Sequence, residues 1–148
     1  MSTQEIIKID DEGLAAWNAH DVERFVALCA DDIVWHDVAN PEPYQGKDGA
    51  RQFMPAWMTA FPDLSVRSKN RVVSEDAVAV ELDFSGTNSG PMQMAPGAPA
   101  IPATGKKVTD SKGVYFARVG GGKIVEFNSY PDVAGMMMQL GMMPGPQG

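Results

Sequence analysis

The chain has 148 residues with 19 acidic against 12 basic side chains, a formal net charge of −7, which repels phosphate backbones and anionic bilayers and excludes a generic nucleic-acid binder. A hydrophobic fraction of 44% and a charged fraction of 21% belong to an ordinary globular domain with one core, so disordered and fibrous classes are excluded. The single Cys29 rules out an internal disulfide framework, and with neither a signal-type N-terminus nor an apolar run near the roughly 18 residues of a membrane span, the chain is expected to be cytoplasmic.

From Thr3 to Asn18 the apolar residues Ile6, Ile7, Leu14 and Trp17 recur near helical spacing and predict a first amphipathic helix. Asp21 is placed to cap a second through Val22, Phe25, Val26 and Cys29, which makes Cys29 a buried thiol in a helical stretch rather than a nucleophile. IVWHDV at 33–38 reads as a strand running into the turn-rich ANPEPYQG, with His36 and Asp37 on opposite faces. Asp37 is expected to face solvent or to pair with Arg51. Asp48 can cap a third helix through Phe53, Met54, Trp57 and Phe61; Pro55 must kink it or sit in its first turns, and Pro62 ends it.

Beyond Pro62 the pattern turns to strands at 64–73, 77–87, 106–119 and 123–130, which pair most simply as an antiparallel meander. The GGGK at 120–123 is a hairpin turn, since it lacks the spacing of a phosphate loop. Residues 88–105 hold four of the eleven prolines; so long a connection reads as a mobile lid or rim on a binding site. The last strand ends at Pro131, Asp132 stands at the start of a Met-rich helix, and residues 143–148 form a loose tail. Helices first, then a curved sheet, then a closing helix make one α+β domain over 1–148.

WNAHD at 17–21, WHDV at 35–38, AFPDL at 60–64, GTNSGPM at 86–92, PATGKKV at 102–108, GGKIVEF at 121–127 and DVAGMMMQLG at 132–141 occur here in one order. In these pieces, over nearly the whole chain, the sequence resembles the SnoaL-like polyketide cyclases, or ester cyclases, of the nuclear-transport-factor-2-like superfamily. The resemblance implies a cone-shaped antiparallel sheet wrapped around the N-terminal helices, a deep apolar pocket and a homodimer formed through the sheet. It also implies cofactor-independent ring closure, an intramolecular aldol condensation of an aromatic polyketide ester or a related isomerisation, with one carboxyl as general acid/base. Asp132 falls where that aspartate lies. The chain departs from the family pattern at Asn88, where histidine is common, and in the longer proline-rich segment after Gly90. The wider fold also hosts epoxide hydrolases and noncatalytic ligand carriers.

Two readings of Asp132 stay open: a helix N-cap, or a proton-transferring group whose apolar surround would come from Phe127, Met136 and Met137. His36 is the second catalytic candidate, because imidazole suits proton exchange near neutrality; its alternative is a strand histidine held by a neighbour. Trp35, Trp57, Asn88, Met92, Phe127, Asn128, Tyr130 and Met136 are the candidate substrate-binding residues. On the last strand an unbroken pleat would place Asn128 and Tyr130 with Ile124, opposite Val125, Phe127 and Ser129, and the pattern leaves open which face meets the pocket. The expected ligand is a small hydrophobic carbonyl compound, an aromatic polyketide by the resemblance, and neither nucleic acid nor a membrane is an expected partner. No metal is expected, since the two histidines lie outside any ligand spacing. An epoxide hydrolase-like reading would draw on Glu81, Asp83 and Arg118; a carrier of small hydrophobic ligands is the nonenzymatic rival.

Overall fold

Ser2 accepts the Glu5 amide and opens α1 (Thr3–Asn18), and Asp21 accepts the Arg24 amide to open α2 (Val22–Val26), each satisfying a first-turn donor that the helix itself leaves free. These are followed by β1 (Cys29–Asp37), β2 (Tyr44–Gln45), α3 (Gly46–Ala60), β3 (Ser65–Val73), β4 (Ala77–Thr87), β5 (Lys107–Gly120), β6 (Lys123–Pro131) and α4 (Val133–Gln139). The computed structural model describes residues 2–144. Of the tail expected to be loose, residues 145–148 lie outside the described part.

The six strands form one curved sheet in the order β2-β1-β6-β5-β4-β3. The meander of β3 to β6 is antiparallel as expected, and Gly121 and Gly122 take φ of +58° and +79° in its tight β5–β6 turn, a conformation that glycine adopts without a Cβ clash. The sequence pattern did not disclose that β1 pairs in parallel with β6. That pairing also shortens α2: the Leu28 carbonyl accepts the Ile124 amide at 2.9 Å, so the chain leaves the helix after Val26 and Cys29 opens a strand instead of continuing the helix. Cys29 is buried all the same. The third helix starts without a side-chain cap, since Gln45 makes no capping bond; Asp48 lies in its first turn and binds Arg51 at 2.8 Å. Pro55 sits inside the helix, where it leaves the Arg51 carbonyl without its usual amide.

One break in register decides which side chains face inward. Val119 pairs with Ile124 but Arg118 pairs with Glu126, so Val125 is an extra residue, a bulge that shifts the alternation by one. Ile124 therefore shares the inner face with Phe127, Ser129 and Pro131, contrary to the unbroken pleat, and Asn128 and Tyr130 turn outward. The inner face and the helices enclose an aromatic core in which the fully buried Trp35 packs against Phe25, Phe53 and Phe127 at centroid distances of 5.5, 4.7 and 4.4 Å.

The long segment after β4 is knit together rather than loose. Asn88 is wholly buried; its amide donates to the Ala60 and Gly90 carbonyls at 3.1 and 3.0 Å, and its carbonyl accepts from the Thr104 amide and hydroxyl at 2.8 and 2.9 Å. Met92 and Ile101 then exchange a pair of backbone hydrogen bonds at 2.8 Å. Of the lid or rim expected here, the structure shows a rim: the segment is anchored at both ends, and its Met92, Gln93 and Met94 border a cavity.

Candidate active site

Because α1 turns the stripe Ile6, Asp10, Gly13, Leu14 and Trp17 toward the inner face of the sheet, helix and sheet do not close completely on each other. An apolar cavity remains between them, about 990 Å³ of space when the solvent in its open mouth is counted. Its walls are mostly aromatic and aliphatic, with Phe53, Trp57, Phe84 and Phe127 among them, and its polar groups are few: Asp10, Ser111, Lys112, Tyr115, Ser129 and Asp132. A second, smaller cavity adjoins it, about 480 Å³ with the solvent at its opening counted, and Phe53, Trp57, Pro131 and Met136 line both.

Asp132 lies at the β6–α4 junction. Its backbone amide donates to the Lys112 carbonyl at 2.9 Å, which ties the junction to β5, and its Oδ1 accepts the Gly135 amide at 2.9 Å as the N-cap of α4. The residue is exposed, yet it lines the main cavity. The cap reading of its sequence position is met, and the same side chain borders the cavity. The buried surround expected of it is absent: Phe127 and Met136 line the same cavity, whereas the carboxyl reaches water.

Strand alternation disperses the other candidates. His36 is exposed on the outer face, in the row that crosses Asn128 and Phe116, and it lines neither cavity. Asn128 belongs to the same outer row, donating to Glu126 at 3.1 Å, and Tyr130 is 51% exposed there. Trp35 belongs to the core and lines neither cavity, and its indole N–H has no partner among the described residues. Asn88 spends its polar atoms on the loop. Trp57, Phe127 and Met136 do line the main cavity, and Met92 lines the smaller one. Glu81, Asp83 and Arg118 face away from both: Asp83 is surrounded by Arg67, Lys69 and Lys112, Glu81 accepts from Asn70, and Arg118 pairs with Asp76 and Glu126. These three side chains therefore form no cluster in either cavity, and the epoxide hydrolase-like reading loses the residues named for it.

Two buried carboxyls were missed. Asp10 replaces an apolar residue in the α1 stripe, four positions after Ile6 and four before Leu14, and that misfit of period was its legible signal. It receives the Tyr115 hydroxyl on one oxygen and Arg71 on the other at 3.0 Å. Burial, then the charge of Asp10, pushes the Tyr115 phenol far up, so it remains protonated. Asp37 is neither solvated nor paired with Arg51, which binds Glu23 and Asp48 instead. It is 5% exposed in the wall of the smaller cavity; burial raises its pKa, against the pull of the Ala39 amide that its Oδ1 accepts at 2.8 Å. Among the described residues, no group of three or more His, Cys, Asp or Glu side chains is placed to hold a metal ion, and no helix is long and apolar enough to cross a membrane.

The sequence model of the SnoaL-like polyketide cyclases matches residues 10–140. No curated protein matches the chain. Among solved structures, AclR from Streptomyces galilaeus, a candidate hydroxylase, is 25% identical with a TM-score of 0.82 over 99% of this chain and 87% of its own. IdmH from Streptomyces antibioticus, a candidate polyketide cyclase, is 25% identical with a TM-score of 0.74 over 90% and 96%. A protein of ketosteroid isomerase-like fold from Catenulispora acidiphila is 18% identical with a TM-score of 0.71 over 91% and 93%, a likeness of fold alone.

Proposed function

The chain belongs to the SnoaL-like polyketide cyclase family, and from that premise we propose that it binds a small hydrophobic carbonyl compound of polyketide type and closes a ring in it by proton transfer at Asp132, without a cofactor. One observation carries the assignment. Of the two described carboxyls that line the main cavity, Asp10 is held by Arg71, whereas among the described residues no cationic side chain pairs with Asp132.

An intramolecular aldol closure breaks a C–H bond next to one carbonyl, forms a C–C bond to a second, and leaves that second carbonyl as a hydroxyl. The proton count closes within the substrate, so one carboxylate suffices: it takes the proton from carbon and returns it to the alkoxide oxygen. Asp132 is held for this by the β5 backbone on one side and the Gly135 amide on the other. The apolar walls orient the ligand chain, and a ligand filling the mouth displaces water from the carboxyl.

A carrier of hydrophobic ligands is the second reading, favoured by the exposure of Asp132 and by its service as a cap. Asp132→Asn separates the two, because amide and carboxylate cap helices about equally well. Turnover of a linear aromatic polyketide ester should fall by about 10² to 10⁴, while binding of the ring-closed product persists. Full turnover in the variant overturns the assignment of Asp132; a wild-type protein that binds such esters and turns none over is a carrier.

A further inference from the structure

The main cavity has a second polar pole, opposite in character to its mouth. Asp132 binds the backbone of Lys112, and Tyr115 lies three residues farther along β5, about 10 Å at some 3.4 Å per residue. There Tyr115 and Asp10 both line the cavity while being 8% and 6% exposed. Tyr115 stacks on Phe127 with ring centroids 5.0 Å apart and planes inclined by 20°, which fixes where its hydroxyl points.

That hydroxyl has one hydrogen, and it goes to Asp10. What Tyr115 has left for a ligand is an oxygen lone pair. Asp10 is in the same position: as a carboxylate it has about four acceptor sites and no donor, and Tyr115 and Arg71 occupy two of them. Arg71 turns its Nη1 to Asp10 and Asp11, at 3.0 and 2.6 Å, and does not itself line the cavity. The pole therefore presents acceptors, in apolar surroundings, to whatever reaches it. A carbonyl or ether oxygen arriving there would lose its hydration without gaining a donor from Tyr115 or Asp10, whereas a hydroxyl would gain a bond to an acceptor strengthened by charge.

We infer that the Tyr115–Asp10 pair is the recognition site for a phenolic or enolic hydroxyl, so that the ligand class is a hydroxylated aromatic whose hydroxyl lies deep in the cavity. The inference names the substrate class for the ring-closing reading above, placing the hydroxyl at the inner pole and the reacting carbon at Asp132. Tyr115 and Asp10 select and position the ligand; the bonds that change lie at the mouth.

Equilibrium dialysis of the wild-type protein with 2-naphthol, 2-methoxynaphthalene and naphthalene tests this without any reaction. The naphthol should bind about tenfold or more tightly than the methyl ether, which has nearly the same rings and no donor, in keeping with a hydrogen bond to a charged acceptor. In Tyr115→Phe and Asp10→Asn that preference should shrink to about threefold or less, with naphthalene affinity retained as the control for an intact cavity. In Asp132→Asn it should be unchanged. Equal binding of naphthol and ether by the wild type overturns the inference while leaving the ring-closing reading standing. Failure of all three to bind removes the ligand cavity itself, and both proposals with it. Loss of the preference only in Asp132→Asn would place the hydroxyl at the mouth and overturn the inference too.

Discussion

Gly135 and Asp132 form a matched pair. A Cβ on Gly135 would lie 2.8 Å from the Asp132 Cγ, closer than side chains tolerate, so the carboxyl occupies space that a larger residue would fill. Gly135→Ala should push the carboxyl off its cap and cost about 1 kcal/mol of stability. Turnover should drop with it if the held carboxyl is the catalyst; thermal unfolding together with rate measurements reads both. At Asp37 the expectation concerns pH. Burial raises its pKa above the ordinary 3.8, so the folded state binds that proton more tightly than the unfolded chain does. Its contribution to stability is whole below pH 3.8 and is lost as pH rises through the folded value. Asparagine still accepts the Ala39 amide and has no charge to bury. Asp37→Asn should therefore be more stable than the wild type at neutral pH, with the difference vanishing in acid; urea titrations across that span would show the reverse trend if Asp37 were stabilised as the anion.

At the scale of elements, one side chain determines whether the connection between β4 and β5 is ordered. The four hydrogen bonds of Asn88 join the end of α3, Gly90 and Thr104, and Gly90 packs so tightly on the Thr59 carbonyl that no Cβ fits between them. Asn88→Ala leaves buried partners unsatisfied and should destabilise the protein by about 1–3 kcal/mol. Hydrogen exchange at Thr104 and Gly105 should quicken in that variant more than at the strand centres; unchanged exchange would mean that the loop is held elsewhere. Met92, Gln93 and Met94 reach the smaller cavity from this loop, so its anchoring also shapes the walls beside the main one.

For the whole molecule, the outer face of the sheet remains uncovered in a single chain. Val114 and Tyr130, paired across β5 and β6, are 40% and 51% exposed, and His36 and Asn128 continue the surface. We propose that a second copy of the chain covers this face, a homodimer of the kind that the family resemblance implies. Sedimentation at micromolar concentration should give a dimer, and Tyr130→Lys should shift it toward monomer; a wild-type monomer, or a dimer indifferent to that change, would overturn the proposal.

The sequence by itself determined the order of the four helices and the five longer strands, the antiparallel meander and the β5–β6 hairpin, though not the short β2, because each is written in contacts between near neighbours: a capping spacing, a two-residue period, a glycine turn. Only the tertiary structure decided the β1–β6 pairing, which joins residues about ninety positions apart and draws Cys29 out of its helix. It likewise decided which face looks inward. One extra residue, Val125, reverses the alternation expected for Ile124 against Phe127 and turns Asn128 and Tyr130 outside, while on β1 the burial of Trp35 sends Asp37 in and His36 out. Asp10 and Tyr115 stand 105 positions apart, and no local pattern can show that a helix carboxyl and a strand phenol meet. Packing α1 across the sheet brings them together, since burying the apolar stripe of that helix buries its one misfit aspartate beside the hydroxyl that can satisfy it.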